Sequence, residues 1–174
     1  MQLAITILGQ STDGVVDAVI FATTNSQTHI VDLKSSLFNT TSCAYLLIEG
    51  NWNQLSKFES TLHAIQKKFD CSIHTHRVEA AKEIDVMPMT VEVIGLASSG
   101  LLNKLTQFFR EHGIEQQEVN ARTYLAPYLN AQLMSAKFVI TLGNDSLFQL
   151  RDELMYLCDS LNADLLFEPF KMGV

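Results

Sequence analysis

Basic charge is scarce in this sequence. Lys and Arg number 12 in 174 residues against 19 Asp and Glu, a net charge of −7. Nucleic-acid affinity comes mainly from clustered cations on phosphates, and the densest basic cluster here is Lys67-Lys68, so direct nucleic-acid binding is disfavoured. Long apolar runs are missing too. The longest, Cys43 to Ile48, has six residues, far too few to span a membrane. Met1-Gln2-Leu3 places no basic charge before the first apolar stretch, which Gly9-Gln10-Ser11 cuts short. No secretory signal is therefore expected, and the expected location is the cytoplasm. Without secretion, the N-x-S/T triplets at Asn39 and Asn144 carry no meaning. Three cysteines, Cys43, Cys71 and Cys158, form no C-x-x-C pair and suit reduced thiols. The motifs G-x-S-x-G, H-E-x-x-H and G-x-x-x-x-G-K-[ST] are all lacking, so neither an enzyme nor a cofactor is expected.

What is present is a globular composition, 47% hydrophobic and 18% charged, arranged as a duplication. Gly9 and Gly14 recur as Gly95 and Gly100, 86 residues on. At that offset the alternating Leu3, Ile5 and Ile7 fall on Met89, Val91 and Val93. Val15, Val16 and Val19 fall on Leu101, Leu102 and Leu105, where a helical face begins. Dividing the chain at 86/87 leaves charges of −3 and −4, so neither half is a basic arm. The repeat is a tandem of two similar domains rather than a solenoid.

Each half reads β-α-β-β-α-β. The first predicts strands at about 2–9, 28–36, 41–49 and 71–77, with helices over 13–25 and along Trp52, Leu55, Phe58, Leu62, Ile65 and Phe69. The second predicts strands at 89–96, 114–124, 132–142 and 163–168, with helices at 99–112 and 146–161. Setting Leu55 against Leu150 implies about nine extra residues around Ala126-Pro127-Tyr128-Leu129-Asn130. The expected fold class is α+β: two tandem ferredoxin-like domains at 1–78 and 89–174, joined by a linker at 79–88. One sheet face stays open in each, so the two copies are expected to pack together.

His63, His74 and His76 have no equivalents in the second half, which weakens a catalytic role. Cys71, His74 and His76 are metal candidates only if the strand start bends, since Cys71 lies three residues from His74 on the opposite face; no metal is expected. The loops Gly9–Gly14 and Gly95–Gly100 lead from strand to helix, where free N–H groups favour an anion such as a ligand carboxylate. Their glycines equally suit a tight turn capped by Thr12, Asp13, Ser98 or Ser99. Asp32 and Glu118, also 86 apart, could take an ammonium, or could simply be surface acids. The candidate ligand-binding set is Gly9, Ser11, Asp13, Gly14, Asp32, Gly95, Ser98, Gly100 and Glu118. Gly14→Val is expected to block it and spare the fold if Gly14 has negative φ.

The loop Gly9-Gln10-Ser11-Thr12-Asp13-Gly14-Val15-Val16 partly matches a G-x-D-x-P-G pattern. Ile30-Val31-Asp32, Glu49-Gly50-Asn51-Trp52, Glu59-Ser60-Thr61-Leu62, Met87-Pro88 and Arg122-Thr123 also find counterparts. On these residues the chain resembles the tandem ACT-domain proteins, and among them the glycine cleavage system transcriptional repressors. The resemblance implies a non-enzymatic repressor that senses a small amino acid such as glycine and acts on a LysR-type activator rather than on DNA. An ACT-type scaffold or accessory subunit without a ligand is the alternative, and a homo-oligomer is open to either. The family's loop acid is replaced by Ser11 and Ala97, and its loop proline by Asp13 and Ser99. Weak amino-acid binding is therefore expected, and better in the first loop.

Overall fold

A computed structural model describes residues 1–10, 14–79, 87–97, 100–127, 130–142 and 147–170. The chain divides into two compact units, Met1–Glu83 and Ile84–Val174. Most of the 79–88 linker lies outside the described residues.

The first unit runs β1 (Gln2–Gln10), α1 (Val15–Ser26), β2 (His29–Phe38), β3 (Thr41–Glu49), α2 (Trp52–Phe69) and β4 (Ser72–Val78). The second runs β5 (Met87–Leu96), α3 (Leu101–Glu111), β6 (Gln116–Ala126), β7 (Ala131–Leu142), α4 (Leu147–Ser160) and β8 (Asp164–Pro169). Each forms a four-stranded antiparallel sheet, ordered β2-β3-β1-β4 and β6-β7-β5-β8. This is the ferredoxin-like plan, twice.

Strand alternation builds each core. Leu3, Ile5 and Ile7 of β1 pack with Leu46 and Ile48 of β3, and with Val15, Val19, Leu55, Phe58 and Leu62 of the helices. Met89, Val91 and Val93 do the same with Phe138, Ile140, Leu105, Phe109, Leu150 and Leu154. Asn51 starts α2 with a capping box: its side chain accepts from Gln54 N at 2.9 Å, and Gln54 Oε1 accepts from Asn51 N at 2.8 Å.

Register refines the duplication. Leu3 pairs with Ile48 and Arg77, while Met89 pairs with Ile140 and Pro169. The offset is therefore 86 on the first strand and 92 on the third and fourth. Six residues are added, not nine, and Leu55 corresponds to Leu147 rather than Leu150. The residues that follow the two helices agree, since Asp70 and Asn162, 92 apart, share the left-handed conformation with φ of 46° and 51°. The additions lie in the hairpin. Phe38↔Thr41 closes the first around Asn39, whereas the second continues past Tyr124↔Leu133 to Ala126↔Ala131. The error came from the apolar stripe, whose three- and four-residue steps allow a false match one turn along.

Candidate functional site

Gly9 and Gly95 sit near the ends of β1 and β5, and what they provide is room. A Cβ on Gly9 would stand 3.1 Å from Cys71 Cβ and 3.2 Å from Val15 Cγ1. One on Gly95 would stand 2.9 Å from Ala163 Cβ and 3.5 Å from Leu101 Cδ2. Those neighbours are equivalent in the two copies, so this pair lets the last strand and the first helix pack against the first strand.

Gly14 and Gly100 are the N-caps of α1 and α3, and neither helix has a side-chain cap hydrogen bond. Glycine has no side chain with which to cap the first helical amides itself. The two glycines differ in backbone. Gly14 has φ +64°, the left-handed region, and an added Cβ would stand 3.9 Å from Asp17 Oδ2. Gly100 has φ −102° and ψ −18°, with open space around it. The condition for a harmless Gly14→Val thus fails, because a branched residue is strained at that φ. Ser11, Asp13 and Ser98, like Thr12 and Ser99, lie outside the described residues.

Asp32 and Glu118 each follow a β-bulge, between Ile30 and Asp32 and between Gln116 and Glu118, a second duplicated irregularity. Neither lies beside its own unit's loop. Asp32 pairs with Leu47, which pairs with Ala4, six residues before Gln10, or roughly 20 Å along an extended strand. Glu118 pairs with Val139 and through it with Thr90, whereas the second loop follows Leu96. Within one unit the carboxylate and ammonium subsites are at opposite ends of the sheet. An offset of 86 could align them in sequence but could not place them along the strand.

Near the end of β1, at Leu8, there is a hollow of about 560 Å³ on the sheet face away from the helices. Leu8, Phe38, Cys43, Tyr45 and His74 line it, and Lys34 Nζ lies 5.7 Å from the centre of the Tyr45 ring. Its size suits a small molecule. Sequence reading missed it, although Leu8, Phe38 and Tyr45, each on the polar phase of its strand, were the available sign. Cys71 is buried on the helix-facing side, while His74 and His76 are exposed on the other. Among the described residues no three His, Cys, Asp or Glu side chains are grouped to hold a metal, and no helix is long and apolar enough to cross a membrane.

Residues 1–76, nearly all of the first unit's described length, match the family model of the ACT domain. The first unit is an ACT domain. The second repeats its β-α-β-β-α-β order and strand pairing, making the chain a tandem of the ACT fold. Its structure is similar to that of a candidate glycine cleavage system transcriptional repressor, with TM-score 0.74 and 24% identity over 98% of this chain and 97% of that one. It is also similar to an unknown protein from Galdieria sulphuraria, with TM-score 0.75 and 16% identity over 98% of both chains. At such identities the likeness is one of fold. No curated protein sequence matches the chain.

Proposed function

We propose that this tandem ACT-fold protein is a non-enzymatic regulator, responsive to a small amino acid such as glycine, that controls transcription through another protein. The partner implied by the resemblance is a LysR-type activator. The observation that carries the reading is a hollow of small-molecule size lined by Leu8 near the end of β1, the strand that leads to the Gly14-capped α1, which has no side-chain cap hydrogen bond. An anion at the helix N-terminus gains from the backbone amides and the helix dipole. The net charge of −7 supports contact with a protein rather than with DNA. The open hollow also favours an amino acid with some apolar body over glycine itself.

The test is a thermal-shift screen across the twenty amino acids, followed by calorimetric titration of those that respond. A ligand at one hundred times its dissociation constant should stabilise the protein by about 2.7 kcal/mol. A selective upshift lost with a bulky change at Cys43 would support a site at this end of the first sheet. No shift with any amino acid would favour the ligand-free scaffold or accessory subunit. Co-purification from native cytosol, with and without glycine, tests for the activator.

A further inference from the structure

The two copies differ where their helices meet. In the first, the backbones of α1 and α2 approach closely, whereas those of α3 and α4 do not. Residue size accounts for the difference. Along α1, Ala18, Ala22 and Ser26 recur every four residues; Ala22 and Ser26 are buried, and the Ser26 hydroxyl has no hydrogen-bond partner. The counterparts of these three on α3 are Lys104, Phe108 and His112. Likewise Ala64 on α2 corresponds to Tyr156 on α4. The bulkier helices stand apart, bridged by His112 Nε2 to Glu153 Oε2 at 2.6 Å.

Between them lies a groove of about 520 Å³, lined by Phe108, Tyr156, Leu157, Asp152, Glu153 and Ser160. Tyr156 is 79% exposed and stands beside Phe108 and Leu157 in the groove lining, so the ring is available to a partner. Among the described residues the ionisable groups lining the groove are Asp152, Glu153 and the Tyr156 phenol; Glu153 is already shared by His112 and Gln149, which leaves Asp152 as the carboxylate for a partner's cation. We propose that this groove binds a basic amphipathic helix of a protein partner, its apolar face between Phe108 and Tyr156 and a cation against Asp152. Grooves between helices take such segments through a few apolar anchors, and tyrosine is among the commonest of those anchors. Charge complementarity chooses a basic segment over an acidic one. The proposal rests on the reading that the protein acts by contact with another protein, and it assigns that contact to the second unit.

The probe is a fluorescein-labelled synthetic helix with a leucine and phenylalanine face and lysine flanks, beside a twin carrying glutamate flanks. Both are titrated with the full chain by anisotropy. The lysine helix should bind at least about tenfold tighter than its twin, less so at high salt. Tyr156→Ala and Asp152→Lys should each weaken it about tenfold. Both positions are exposed, and circular dichroism checks that the fold persists. Glu79→Lys makes the same charge reversal in the first unit and should leave binding unchanged. Equal binding of the twin, or equal loss in Glu79→Lys, overturns the groove. So does activator co-purification that survives Tyr156→Ala and Asp152→Lys together, although the regulatory reading would then stand. Peptide binding as described, with no activator retained by the wild type, would instead support the groove and count against that reading.

Discussion

Gly14 and Gly100 occupy the same place in the two copies, yet only one of them needs to be glycine. Gly14 is left-handed at φ +64°, so a branched side chain there should cost roughly 1–2 kcal/mol in backbone strain. Gly100, with negative φ and, among the described residues beyond its chain neighbours, no atom within 4 Å of an added Cβ, should accept alanine and gain about 0.4–1 kcal/mol from a less flexible unfolded chain. Chemical denaturation of Gly14→Val and Gly100→Ala should therefore move in opposite directions. Equal destabilisation would mean that α3 begins differently from the geometry described. Any ligand test at Gly14 must accordingly be read against the variant's own stability. Recurrence of a glycine announced a turn; the sign of φ, which decides the substitution, came from the backbone path.

At the scale of the element, the paired helices of the second unit are joined through one titrating contact. His112 Nδ1 donates to the Phe108 carbonyl at 2.8 Å, and its ring lies 4.1 Å from that of Phe108. The carbonyl, then Glu153, raises the His112 pKa above its ordinary value. Glu153 is held below the usual carboxylate range by the Gln149 amide and then by His112. A raised histidine contributes stability that is complete below its unfolded pKa and is lost as pH rises through the folded one. The glutamate's share is present above its ordinary value and lost as pH falls through the lowered one. Wild type should thus melt above His112→Gln at mildly acidic pH, with the gap closing toward alkaline pH. A gap independent of pH across that range would show that the bridge does not act as a charged pair. The α3–α4 contact was illegible in the sequence, since His112 and Glu153 are 41 residues apart and meet only because both helices lie on one sheet.

For the whole molecule, the surface charge sets the expectation. Two acidic halves release few counterions to a phosphate backbone, so the isolated protein should not retain duplex DNA sequence-specifically in a gel shift at physiological salt. Sub-micromolar, selective retention would overturn the protein-contact reading. Apolar side chains such as Leu37 and Phe38 in the first unit and Phe148 and Tyr156 in the second stay well exposed.

The sequence by itself determined the duplication, the order of elements and the two cores, because strand alternation and helical spacing are local consequences of backbone geometry. It also placed Gly14 and Gly100 at the heads of helices. Only the tertiary structure decided how the copies differ. Pairing across strands set the offset of 92 where apolar spacing suggested a larger one, and it put Asp32 and Glu118 far from the loops they were expected to serve. Side chains from elements far apart in sequence made the hollow beside Tyr45 and the groove beside Tyr156. Periodicity tells which face of an element is apolar; where two such faces meet, and how closely, depends on the bulk of residues such as Ala22 or Phe108 once the sheet has brought their helices together.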